Sequence, residues 1–108
     1  MRMERYEILV GLNDQVTRQQ EFSTEVFEKM VRTVCKGYRM AFSVHEMKGG
    51  YIHDDGFYVS ENSLCVTLIG ADDEVAREIA RDLCAFFRQE SVILVKDSPE
   101  VEFVRESL

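Results

Sequence analysis

Residues 45–62 read H-E-M-K-G-G-Y-I-H-D-D-G-F-Y-V-S-E-N. Asp55-Gly56 is the dipeptide of a tight hairpin turn, because glycine supplies the positive φ such turns require. Before it, Met40, Phe42 and Val44 alternate with Ala41, Ser43, His45 and Met47; after it, Leu64, Val66 and Leu68 recur every second residue. Both are strand periods, so a second strand is predicted from about Tyr38 to Gly49-Gly50 and a third from Val59 to Ile69. A two-residue loop at Asp55-Gly56 sets His53 opposite Tyr58 and Tyr51 opposite Ser60. Carried on unbroken, that register puts Val44 opposite Thr67 and mixes core with open face. One extra residue on strand two restores the parity. A bulge is therefore predicted at Gly49-Gly50, pairing Val44 with Val66 and Phe42 with Leu68, with His45 and Cys65 as cross-strand neighbours.

Outward from the hairpin, Tyr6, Ile8, Val10 and Leu12 alternate as a first strand. Thr17 with Gln20 fits a capping box, and Phe22, Val26, Met30 and Val34, flanked by Phe27 and Val31, form the apolar stripe of a helix predicted over Thr17–Lys36 with Gly37 as its C-terminal cap. A second helix is predicted to start at Gly70-Ala71-Asp72-Asp73-Glu74, its carboxylates near the positive end of the helix dipole, and to bury Val75, Ile79, Leu83, Phe86 and Phe87. Ser91–Lys96 carries the apolar run V-I-L-V, which suits a central or two-sided strand. Pro99 ends it, and Val101 with Phe103 suggests a short added strand. The order β-α-β-β-α-β over a single domain, residues 1–108, with right-handed crossovers gives a ferredoxin-like α+β sandwich, a four-stranded antiparallel sheet with two helices on one face.

The chain has 108 residues with 13 basic and 20 acidic side chains, a formal charge of -7. That balance argues against a nucleic-acid surface, whose affinity rests on Lys and Arg neutralising phosphates. No apolar run approaches the roughly 20 residues of a membrane span, and Ile8–Leu12 is too short for a secretory signal, so no membrane association is expected. Cys35, Cys65 and Cys84 form no C-x-x-C pair, and reduced thiols in a cytoplasmic protein are the expectation. No metal or other cofactor is expected.

With the helices on one side, Leu9, Ala41, His45, Met47, Cys65, Thr67, Ile69 and either Ile93 or Val95 fall on the open face of the sheet. So apolar a face predicts a homodimer packed sheet to sheet. His45 beside Cys65 brings an imidazole to a thiol, but two donors do not make a zinc site and nothing orients them as a nucleophile pair. The H-D-D run at residues 53–55 is explained by the turn it occupies, since consecutive strand residues point to opposite faces. Glu46 and Asn62 share the helix-facing parity at the end of the core, near Tyr51 and Tyr58. Together with Glu61 at the hairpin base, these are the candidate ligand-binding residues, with Glu46 as a possible general base or cation-binding group.

The segments Tyr6–Leu12, Gly50-Tyr51 with Gly56, Glu61 and Ser63, and Phe87–Val92 resemble the pattern of a bacterial family of small domains of unknown function. Its members have a Y-x-x-x-x-G-L first strand, a G-x-W/Y hairpin ending in E-x-S and a Q-E-S-V approach to the last strand. The resemblance implies the same fold and importance for Glu61, Ser63, Glu90 and Ser91, and it carries no assigned chemistry. Its members are often exported, whereas no leader is visible here. The functional expectation is a homo-oligomeric module that binds a small molecule or a protein. The alternative is a small enzyme of the dimeric α+β barrel type, with a pocket between sheet and helices. PII-like signalling fits less well, because the hairpin loop is short.

Overall fold

The structure, a computed structural model, describes residues 1–107. Tyr6, Ile8 and Val10 of β1 (Arg5–Gly11) are buried against the helices, as their spacing predicts. The following helix is shorter than expected: α1 spans Thr24–Gly37 and is capped by Ser23, whose hydroxyl accepts the Val26 amide at 3.4 Å. Residues 13–22 are instead held by Asp14, whose carboxylate takes the amides of Val16 and Thr17 at 2.8 and 3.2 Å. An Asx turn of this kind offers the backbone an alternative to helix, and it forestalls the capping box at Thr17 and Gln20. The buried face is only partly the expected one. Phe27, Val31, Val34 and Cys35 enter the core, while Phe22 lies outside the helix with its ring edge-on to Phe27 at 5.9 Å. Gly37 is the last helical residue, and the left-handed position belongs to Arg39 (φ 53°).

The hairpin joins β2 (Ser43–Ile52) to β3 (Tyr58–Ile69). Val44 faces Val66 and His45 faces Cys65, as expected. The bulge at Gly49-Gly50 is absent: Gly49 pairs with Glu61, Gly50 with Ser60 and Tyr51 with Val59 in one continuous register. The compensating residue sits in the turn. His53 N donates to Phe57 O at 2.8 Å, closing a loop of Asp54, Asp55 and Gly56 in which only Gly56 (φ 86°) is left-handed. A two-residue type I′ turn needs positive φ at both central positions, whereas a turn finished by one left-handed glycine spares Asp55 that cost. Strand pairing begins at Ser43 rather than near Tyr38.

A methyl group on Gly50 would meet the Tyr58 ring, which lies across it, and would come within 2.6 Å of the Val59 carbonyl oxygen. The backbone oxygen cannot swing aside as the ring can. Gly50→Ala is therefore expected to destabilise the protein by about 1–3 kcal/mol, the usual cost of forcing atoms into filled space, read as a lower urea midpoint. An unchanged midpoint would show that β2 simply lifts away from β3.

Helix α2 (Asp73–Phe86) is capped by Asp72, which accepts the Val75 amide at 2.8 Å. Ile79 and Leu83 are buried as expected, with Phe87 directly after the helix, while Phe86 turns outward and the small residues Ala76 and Ala80 fill the buried face. Among the described residues, strand β4 (Ile93–Asp97) pairs only with β1, so the sheet order is β2-β3-β1-β4 and β4 is an edge. The apolar run had suggested a central strand. It arises instead because Val92 and Leu94 pack on the core while Ile93 and Val95 stand on the open face, 60% and 42% exposed. After Pro99 an isolated bridge, Arg2 with Glu100, takes the place of the short added strand. The whole is a ferredoxin-like β-α-β-β-α-β sandwich with all neighbouring strands antiparallel and both helices on one face. Among the described residues, no helix is long and apolar enough to cross a membrane.

Polar ties fix α2 to the sheet. The buried Tyr6 hydroxyl donates to Asp73, and Lys96 Nζ lies 2.7 Å from the same carboxylate. Lys96 first, and Tyr6 next, hold the Asp73 carboxyl below its ordinary value of 3.8; burial pushes the Tyr6 phenol above 10.0. A lowered carboxyl pKa stabilises the fold above the unfolded value, and the benefit is lost as pH falls through the folded one; a raised phenol pKa stabilises below pH 10.0 and is lost as pH rises further. Thermal stability is accordingly expected to fall below about pH 3.8 and again above about pH 10. Asp73→Asn is expected to lower the melting temperature at neutral pH and flatten the acid limb, measured by circular dichroism. An acid limb of unchanged steepness would assign it to other carboxylates.

Candidate functional site

Two loops and the hairpin meet at the end of the sheet where β1 finishes. The β1–α1 loop is tied to the α2–β4 loop by Gln15 N donating to Arg88 O (3.0 Å) and by Gln89 Nε2 donating to Asn13 O (2.6 Å). An ion pair joins Arg88 Nε to Asp14 at 2.8 Å. Asp14 is only 6% exposed, and the Val16 and Thr17 amides, more than Arg88, hold its carboxyl below the ordinary range. Arg88 itself lies in the left-handed region (φ 54°), closing α2 and turning the chain toward Asp14. The two loops thus form one braced wall.

Between that wall and the hairpin base lies a half-open cleft of about 360 Å³. Tyr51, His53 and Asp54 come from the hairpin, Glu61 from β3, Arg18 from the first loop and Glu90 with Ser91 from the second. Glu61 is placed by two features of its neighbours. Its carboxylate accepts the Asn13 amide at 3.0 Å, and it lies directly over Gly11, where a Cβ would come within 2.6 Å of it. Gly11 therefore serves as a gap that admits a carboxylate. Carboxylates from Glu61, Asp54 and Glu90 outnumber the cation Arg18 here, on a chain of net charge -7, so the cleft favours a cationic guest beside an aromatic ring.

Of the candidate residues, Tyr51 and Glu61 line this cleft. Tyr58 lies across Gly50 and is largely exposed. Asn62 donates to Gln20 Oε1 at 3.0 Å, tying β3 to the β1–α1 loop, and Glu46 is exposed outside the cleft. The structure does not bring Glu46 and Asn62 into one pocket with Tyr51. Glu61, Glu90 and Ser91 of the motif residues meet here, while Ser63 pairs with Gly11 and Met47 on the open face. Asn13, Asp14, Gln89 and the Arg88 brace were not anticipated. Asn13 and Asp14 are turn-forming residue types, but nothing in their spacing tells that Asp14 reaches Arg88 74 positions along the chain.

His45 and Cys65 are adjacent on the open face, but Cys65 is 2% exposed and burial raises its thiol above the ordinary value, which disfavours a thiolate nucleophile. Among the described residues, no group of three side chains is arranged to hold a metal ion.

No family model matches the chain, and no curated protein matches its sequence. Solved structures do. A phage SAM lyase in complex with S-methyl-5'-thioadenosine superposes with a TM-score of 0.69 at 24% identity, over 95% of this chain and 93% of the other. Its apo form gives the same TM-score and identity over 94% and 92%. CutA1 from Pyrococcus horikoshii follows with a TM-score of 0.50 at 14% identity, over 94% and 87%. The fold is thus shared, nearly end to end, with that of an enzyme.

Proposed function

We propose that the chain is a small enzyme that cleaves S-adenosylmethionine to S-methyl-5'-thioadenosine in the cleft around Glu61 and Tyr51. The observation that carries the reading is the Glu61 carboxylate, set over Gly11 in an acidic, aromatic-edged cleft. It supports binding of a ligand that combines a nucleoside, a sulfonium and an ammonium group. The fold shared with a phage SAM lyase supports the choice of that ligand. A cleft of about 360 Å³ falls within the range of small-molecule sites.

Breaking the Cγ–S bond without water leaves the electron pair on sulfur and turns the sulfonium into a neutral thioether. The carbon is compensated in one of two balanced ways. The substrate's own carboxylate attacks Cγ and closes a lactone, or a base takes a Cβ proton and the C–H electrons form an alkene. Glu61 serves either route, holding the ammonium in the first and accepting the proton in the second. Tyr51 offers its ring to the adenine or the sulfonium.

The test is to incubate the purified chain with S-adenosylmethionine and follow the nucleoside product by chromatography, with the amino-acid fragment identified by mass spectrometry. S-methyl-5'-thioadenosine with a lactone or an alkene supports the proposal. A thermal shift with S-methyl-5'-thioadenosine but no turnover would reduce it to the binding module expected from sequence, and neither shift nor turnover would sink it.

The open sheet face supports a homo-oligomer. Leu9, Met47, Ile93 and Val95 lie around the buried Cys65 on this face, and the hairpin adds the exposed ring of Phe57. A surface of this character is covered in the assembly we infer, a homodimer packed sheet to sheet. A light-scattering mass of one chain at micromolar concentration would overturn it.

A further inference from the structure

The opposite end of the sheet carries two unpartnered features of complementary chemistry. The first is the C-terminal segment. Beyond β4 the chain still runs against the N-terminal residues, with Arg2 bridging Glu100 and Val101 N donating to Met1 O at 2.7 Å. From Glu102 to Ser107, among the described residues, no hydrogen bond or ion pair engages the segment. Phe103 is 64% and Val104 83% exposed, in the run Glu102-Phe103-Val104-Arg105-Glu106, whose two carboxylates outweigh the single cation Arg105. An apolar pair held in water on an otherwise unsupported stretch of chain is a segment that lacks its partner.

The second feature is a groove beside the free edge of β2. Arg32 and Lys36, one helical turn apart on α1, and Arg39 just beyond it rim a shallow groove of about 710 Å³ whose floor is Met40, Ala41 and Phe42. Ala41 and Phe42 continue into a hollow of about 160 Å³ reaching Thr67 and Ile69. None of the three cations has a carboxylate within 4.0 Å among the described residues. On a chain of net charge -7, three unpaired cations around an apolar floor are a local reversal of sign.

We infer that the C-terminal segment Glu102–Glu106 of one chain docks in the Arg32/Lys36/Arg39 groove of a second copy. Phe103 fills the apolar hollow, and Glu102 and Glu106 face the cations. The occupant comes from another chain because groove and segment lie at the same end of the sheet but on opposite edges, β2 and β4, about 14 Å apart at the usual strand spacing. The segment leaves from the β4 side, where Val101 is held against Met1, and reaching its own groove would require it to cross the whole sheet end to the β2 edge. Five extended residues span roughly 17 Å, enough to traverse a neighbour's groove. A two-fold axis lets each copy give one segment and receive one. The docking leaves the cleft at Glu61, at the far end of the sheet, uncovered, so it does not rest on the proposed activity; of the open face it takes only the corner at Ala41, Thr67 and Ile69.

The experiment uses the full chain with the photoreactive p-benzoylphenylalanine in place of Phe103, mixing ¹⁵N-labelled and unlabelled protein before irradiation. Cross-linked peptides joining position 103 to residues 36–42 in mixed-isotope pairs are expected. The yield is expected to fall about tenfold in Arg32→Glu/Arg39→Glu and to recover when Glu102→Lys/Glu106→Lys is added, since charge reversal on both sides restores complementarity. All four sites are exposed, so folding is expected to be retained. Same-isotope products alone, cross-links elsewhere, no cross-link, or a yield indifferent to the charge reversals would each overturn the proposal.

Discussion

Phe87→Ala is expected to cost about 3–5 kcal/mol, a large part of the roughly 5–15 kcal/mol that holds a domain of this size together. Phe87 is 2% exposed at the end of α2, and its ring lies 4.6 Å from that of Phe27, centroid to centroid. Its removal opens a cavity between the helices and the end of β1, where Leu12 is also fully buried. The next residue is Arg88, whose ion pair with Asp14 braces the cleft, so the loss should also loosen the site. Urea unfolding followed by circular dichroism is the measurement, with a lower midpoint and an unchanged slope expected. Phe86→Ala is the control. Phe86 faces outward, and its loss is expected to change stability by no more than about 0.5 kcal/mol. Equal losses from the two substitutions would mean that the α2 stripe is misplaced by one residue.

The second large effect concerns Glu61. Glu61→Gln retains the shape of the side chain and removes its charge. A hydrogen bond to a charged group contributes about 1.5–3 kcal/mol, so kcat/KM for S-adenosylmethionine should fall roughly 10- to 150-fold. Affinity for S-methyl-5'-thioadenosine, which has neither sulfonium nor ammonium, should hardly change. Tyr51→Ala, by contrast, should weaken both ligands. Gly11→Ala is expected to reproduce the Glu61→Gln phenotype without touching Glu61, because the new methyl group takes the space the carboxylate occupies. Glu46→Gln, outside the cleft, should leave the kinetics unchanged. Isothermal titration and product formation read all of these, and equal loss of both ligands in Glu61→Gln would mean that Glu61 shapes the cleft rather than anchoring the cationic part.

Much of the site was within reach of the sequence, and one residue of turn decided the rest. A two-residue loop with a bulge at Gly49-Gly50 sets Tyr51 opposite Ser60, on the side of Glu46 and Asn62. The three-residue loop sets it opposite Val59, diagonal to Glu61 and on the open-face parity. Both arrangements satisfy the core pairing of Val44 with Val66, so the hydrophobic pattern alone does not separate them. The difference lies in how many residues adopt positive φ at the tip, and only Gly56 does. The start of α1 was obscured in the same way. Thr17, Ser23 and Asp14 are all capable of capping backbone amides, and the choice among them depends on Asp14 being buried against Arg88.

Local chemistry determined the element order, the antiparallel sheet, the core residues of β1 and β3 and, on α2, Ile79, Leu83 and Phe87, because alternation and helical spacing report directly which side chains leave water. The edge position of β4, the outward turn of Phe86 and the meeting of Glu61 with Gly11, Asn13 and the braced loops belonged to the tertiary structure alone. Each depends on contacts between residues far apart in the chain, and no periodicity within a strand or helix encodes which distant loop will arrive beside it.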